Sequence, residues 1–211
     1  MKGLILKDLL LIKGNLKTLV IVFFGFMVMA LNNMATVSFI IPFFAVMMCI
    51  STFSYDEYNK WNTYAITLPG GRKTIVKSKY IATILLVILS AIISILISVI
   101  ITSINGNIDY EKEFSTFFGG LFGIFLVTSI MYPLIYKYGN EKGRLFLFIG
   151  VFLITAVGGV IFKTVDFSGL NKPAVIDFID KFGLYLLPIV TLVILYISYL
   201  ISVKIYKNKE F

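Results

Sequence analysis

IATILLVILSAIISILISVIITSI, residues 81–104, carries no Asp, Glu, Lys or Arg over its whole length. A helix rises about 1.5 Å per residue, so this stretch is long enough to cross a hydrocarbon core about 30 Å thick. Working outward, five more apolar runs repeat its character: Leu16 to Leu31, Ala35 to Phe53, Phe117 to Tyr136, Leu145 to Phe162 and Phe182 to Val203. Lys17 stands at the margin of the shortest run, where its stem can snorkel toward the headgroups. With 211 residues, 59% of them hydrophobic, and a mean hydropathy of +0.95, the chain is too small to hide this much apolar surface in one water-soluble core. The expected fold is all-α and membrane-integral, one domain over residues 1–211 with six transmembrane helices.

The charges between the runs give an orientation. Fifteen of the nineteen Lys and Arg residues fall before run one, between runs two and three, between four and five, and after six. The alternating segments hold only Lys112, Lys163, Lys172 and Lys181, with six acids. Because basic residues are retained on the cytoplasmic side, both termini are expected in the cytoplasm of a multi-pass membrane protein. The net charge of +8 sits at helix ends and not on one folded face, so membrane lipid is the expected partner of these lysines and nucleic acid is not. No cleavable leader is expected ahead of the first run.

Residues 1–15 have lysines in one broad sector and Leu4, Ile5, Leu11 and Ile12 in another, which predicts an interfacial helix. Asn171, Lys172 and Pro173 open a stretch of mixed apolar and acidic residues, read either as a small outer-leaflet helix over 171–181 or as a plain amphipathic linker.

Between the second and third runs lies FSYDEYNKWNTYAITLPGGRKTIVKSKY, residues 53–80. Ser54 followed by Glu57 has the spacing of a capping box, and Asp56 and Glu57 suit a helix N-terminus, so a helix over 54–68 is predicted. Tyr58, Trp61, Ala65 and Leu68 would form its apolar face, and Pro69, Gly70 and Gly71 would end it. Such a helix can lie on the bilayer or dock in a groove of a cytoplasmic partner.

The order of Phe53, Asp56, Glu57, Trp61, Tyr64, Leu68, Pro69, Arg72, Val76 and Tyr80 resembles the small six-span permeases of the ABC-2 transporter family, as does the opening MKGLILKDLLLIKGNLKT. Gly70 and Gly71 depart from the bulkier residues of many members. The resemblance implies that Ser54, Asp56, Glu57, Tyr58, Trp61, Tyr64, Leu68, Pro69 and Arg72 form a coupling helix seated on a separate ABC ATPase subunit. It also implies a second permease, identical or a paralogue, with ATP and Mg bound by the ATPases and no cofactor in this chain. Members of the group serve in bacterial export of antimicrobial or amphipathic peptides, including phenol-soluble modulins, so the resemblance implies a bacterial cell membrane.

Catalysis by this chain is not expected. It has no histidine, hence no Ser-His or Cys-His pair and no His-ligated zinc, and no Gly-Lys dipeptide, hence no phosphate-binding loop of the GxxxxGK type. No catalytic or metal-binding residues are assigned. Ser90, Ser94, Ser98 and Thr102 step along run three at four-residue intervals, read either as a close-packing face or as the lining of a substrate path. Gly119 and Gly123 predict a helix contact, and Pro42, Pro133 and Pro188 predict bends. An apolar or amphipathic passenger suits the Phe-, Met- and Leu-rich interior. The other class of function open to such a chain is a non-transporting scaffold or immunity protein that binds a toxic peptide.

Overall fold

A computed structural model describes residues 2–30, 34–65, 67, 71–105, 110–146, 148–150, 152 and 174–209. The described elements are α1 (Lys2–Ala30), α2 (Met34–Tyr58), α3 (Trp61–Ala65), α4 (Gly71–Asn105), α5 (Tyr110–Tyr138), α6 (140–146) and α7 (Ala174–Lys207). No strand occurs among the described residues. Four helices there are long and apolar enough to cross a membrane: Ile40–Tyr58, Gly71–Val99, Phe117–Tyr138 and Pro188–Lys207. They answer to runs two, three, four and six. Run one falls within α1, and run five lies largely outside the described residues, as do Asn171 to Pro173.

Three expected boundaries are corrected. Residues 1–15 do not form a separate interfacial helix, because Lys2–Ala30 is one element. Its inward side is set by Asp8 and Ile12, one turn apart and buried, while Leu6 and Leu10 point outward beside Lys2 and Lys13. The outer segment is likewise not a separate short helix: from Ala174 the chain is helical without a break to Lys207. Finally, no helix begins at Ser54. Helix α2 runs through it to Tyr58, and the three-residue spacing of Ser54 and Glu57 places both on one face of a helix already under way.

Helix α2 packs most extensively on α4, and α5 on α7; α1 lies against α2 and α4, and α2 against α5 joins the two halves. The core gathers at the end where α2, α5 and α7 finish and α4 begins, with Ile50, Val76, Tyr132 and Tyr206 almost fully enclosed. Edge-to-face rings fill it: Phe53 on Tyr132 at 4.9 Å, Tyr80 on Tyr132 at 5.0 Å and Tyr136 on Tyr206 at 5.2 Å between centroids. This geometry sets the positive ring edge against the negative face of its neighbour.

The buried hydroxyls are paired across helices. Tyr80 shares hydrogen bonds with Ser198 at 2.7 Å and Ser202 at 2.8 Å, and Tyr132 with Thr83. Pro133 interrupts α5 and has no amide to offer the carbonyl four residues back, that of Ser129. Ser198 of α7 donates to that carbonyl at 2.6 Å. Toward the outside, α4 shows Leu85, Ile88, Leu89, Ile92 and Leu96, and α7 shows Ile189, Leu192, Tyr196 and Leu200, an apolar surface suited to lipid. Among the described residues nothing lies within 4 Å of where a Cβ of Gly119 or Gly123 would stand.

Candidate functional site

Helix α2 ends in an elbow. Lys60 adopts the left-handed conformation, with φ of 49°, and its carbonyl accepts both the amide and the hydroxyl of Thr63. Asn59 returns its side-chain amide to the Tyr55 carbonyl at 2.9 Å. These bonds satisfy backbone groups that the end of a helix leaves open, and they turn the chain at once into α3.

Around the elbow the predicted site residues divide. Trp61 faces inward, packed against the core with the Lys7 ammonium 4.3 Å from its ring centre, and Ala65 is completely buried. Asn62 accepts from the Tyr206 hydroxyl at 3.2 Å, which ties α3 to the end of α7. Tyr58 and Tyr64 face outward, 85% and 59% exposed, with Tyr55 partly exposed nearby. Arg72, in the first turn of α4, donates to the Lys207 carbonyl. Leu68 and Pro69 lie outside the described residues.

Ser54 and Glu57 serve a different helix from the one predicted. The Glu57 carboxylate accepts the backbone amide of Asn140 at 2.9 Å, and the Ser54 hydroxyl accepts from the side chains of Asn140 and Arg144. They therefore hold the N-terminus of α6, where a carboxylate favourably meets the unpaired amides. Gly139 makes the approach possible: its φ is +86°, and a Cβ there would sit 2.9 Å from Glu57 Oε1. A cavity of about 260 Å³ opens between this junction and α3, bordered by Glu57, Asn62, Tyr136 and Lys209.

Asp56 belongs to a closed ring of four charges. Lys79 Nζ lies 2.8 Å from Asp8 Oδ1 and 2.7 Å from Asp56 Oδ2; Lys7 Nζ lies 2.5 Å from Asp56 Oδ1 and 3.3 Å from Asp8 Oδ1. Each acid touches both lysines. Lys79 also donates to Thr52 at 2.8 Å, and its ammonium stands 4.8 Å from the Phe53 ring centre. The side chains of Asp8, Asp56 and Lys79 are less than a tenth exposed. At low local dielectric such charges survive only when paired, as they are here.

Sequence reasoning missed Asp8, Lys79, Thr52 and Asn140. One signal was present: Asp8 is the sole acid among the first fifty-five residues, in a segment otherwise rich in lysine. Of the hydroxyl stripe, Ser90 and Ser94 turn into the bundle, and Ser90 donates to the Val87 carbonyl; the side chain of Thr102 lies outside the described set.

Residues 3–207 match a family described as ABC-2 family transporter protein. The chain belongs to the ABC-2 transporter family. No curated protein and no solved structure matches it. ABC-2 permeases are transmembrane subunits, generally not catalytic themselves, and normally work with ABC ATPase partners. The apolar helices of this permease fit that role. Among the described residues no group of His, Cys, Asp and Glu could hold a metal ion.

Proposed function

We propose that this permease exports an amphipathic or hydrophobic peptide, driven by ATP and Mg bound on separate ATPase subunits and paired with a second permease copy or paralogue. The end bearing the elbow and both termini faces the cytoplasm of a bacterium. The observation that carries the reading is the elbow itself: Tyr58 and Tyr64 stand exposed on a turn whose Asp56, Trp61 and Ala65 are anchored inward. Exposed aromatic side chains on a rigid support are what a groove on a soluble partner would grip. The charge asymmetry supports a cytoplasmic position for that grip, on the side where a cytosolic motor would act.

ATP-driven closure of the ATPases would push on the tyrosines and displace the helices behind them. Such a push changes the equilibrium between two transporter states only if the elbow is held differently in each. Since Ser90 and Ser94 are enclosed within the subunit, the passage is assigned to a path between the two permeases.

The Tyr58→Ala/Tyr64→Ala variant tests the reading. It should insert normally and lose ATPase association at least about tenfold, the loss expected when two aromatic anchors are removed. Unchanged association and export of a labelled amphipathic peptide would overturn the coupling role. A permease that retains the peptide in proteoliposomes without ATP-dependent movement would instead be a scaffold or immunity protein.

A further inference from the structure

We infer that Asp8 and Lys79 are positioning residues for energy coupling, stapling α1 and α4 to the lever that ends α2. The inference rests on the coupling role of the elbow proposed above. Its basis is the closed ring of Lys7, Asp8, Asp56 and Lys79, which draws two members from α1, one from α2 and one from α4.

Asp56 lies two residues before exposed Tyr58, and Lys7 stacks over Trp61, the first residue of α3. Force applied at Tyr58 therefore reaches α1 through both Asp56 and Trp61. It reaches α4 through the contact of Lys79 with Asp56. Because the ring is neutral as a whole and each of its members has two oppositely charged neighbours, displacing one helix alone would strand a buried charge. The beginnings of α1 and α4 and the end of α2 accordingly move as one body.

Opposite this body, the contacts are of another kind. Across the cavity of about 260 Å³, the α2 end meets α6 through hydrogen bonds, the Glu57 carboxylate on one amide and the Ser54 hydroxyl on the Asn140 side chain. Phe53, Tyr80 and Thr83 hold the stapled helices to α5 and α7, so the softer boundary is the junction with α6, with the cavity beside it. The motion driven by the lever is thus assigned to a shift of α1, α2 and α4 together against α6, and not to a separation of α2 from α4.

The experiment uses the full permease assembled with its ATPase subunits, spin-labelled at exposed Leu6 on α1 and exposed Leu145 on α6. In the parent, the distance between labels should change by at least about 2 Å between the nucleotide-free and ATP-trapped states, the scale of helix shifts in switching proteins. The Asp8→Asn/Lys79→Met variant removes one charge of each sign and leaves Lys7 and Asp56 as a neutral pair, so the ring's charge balance, and with it folding, is kept. It should assemble and hydrolyse ATP, yet lose more than half of the distance change; Lys79→Arg should keep it.

A purely structural ring predicts the full change in the neutral double variant, and that result would overturn the inference. A parent that shows no change with ATP overturns it as well. Failure of the coupling reading itself is told apart by a different result, an ATPase that does not bind the parent permease.

Discussion

Glu57 and Asn140 are joined across eighty-three positions of sequence: the carboxylate at the end of α2 accepts the first amide of α6 at 2.9 Å. A charged acceptor at a helix start makes a stronger bond than a neutral one, and without it the amide is left without this partner. Glu57→Ala should therefore destabilise the folded permease by roughly 1–3 kcal/mol, and Glu57→Gln by less, since an acceptor oxygen is kept. Unfolding in mixed micelles would measure both; equal losses would contradict the charge-assisted cap.

Gly139 is constrained twice, by a φ of +86° and by Glu57 Oε1 standing 2.9 Å from its missing Cβ. Gly139→Ala should cost about 1–2 kcal/mol for the backbone conformation alone, with a further loss as the carboxylate is displaced. The second part vanishes when Glu57 is already alanine. A double-mutant cycle should accordingly show that the two losses do not add, and strict additivity would place the strain elsewhere.

Tyr58 and Trp61 should separate docking from stability. Tyr58→Ala removes an exposed ring and should alter stability by no more than about 0.5 kcal/mol while weakening ATPase association. Trp61→Ala removes a ring packed on the core and beneath Lys7, and should lower the unfolding midpoint clearly. Melting curves beside pull-down of the ATPase distinguish the two; a Tyr58 variant that melts early but binds normally would reverse the assignment.

Ser198 and Ser202 both meet Tyr80, but only Ser198 also donates to the Ser129 carbonyl that Pro133 leaves open. Ser198→Ala should cost roughly 1–2 kcal/mol, within the range of hydrogen bonds between helices in membranes. Ser202→Ala leaves the Tyr80 hydroxyl with Ser198 and should cost under about 1 kcal/mol. The order of the two unfolding midpoints is the check.

The spans were legible because a hydrocarbon core imposes one dominant demand, a long stretch free of charge, and Ile81 to Ile104 meets it without ambiguity. The elbow was legible in composition but not in geometry. Ser54 and Glu57 satisfy a local capping rule, and the rule says nothing of a competing helix start that only the tertiary fold brings beside them. Asp56 was read as a helix-start acid and Lys79 as one of the cytoplasmic-side lysines for the same reason: the residues that neutralise them lie forty-nine positions away at Lys7, seventy-one away at Asp8, and at each other across twenty-three. Pro133 announced an open carbonyl at Ser129, but no periodicity could name Ser198 as the donor that fills it.

The charge ring also imposes an order on how the molecule is made. After α1 and α2 have been synthesised, the growing chain holds Lys7, Asp8 and Asp56, two acids against one cation, at the membrane face where the elbow will form. Water must serve these groups until residue 79 emerges from the ribosome. Only then can three helix ends close over the set and leave solvent behind, so the elbow takes its final shape after the second hairpin has begun and not when the first is inserted.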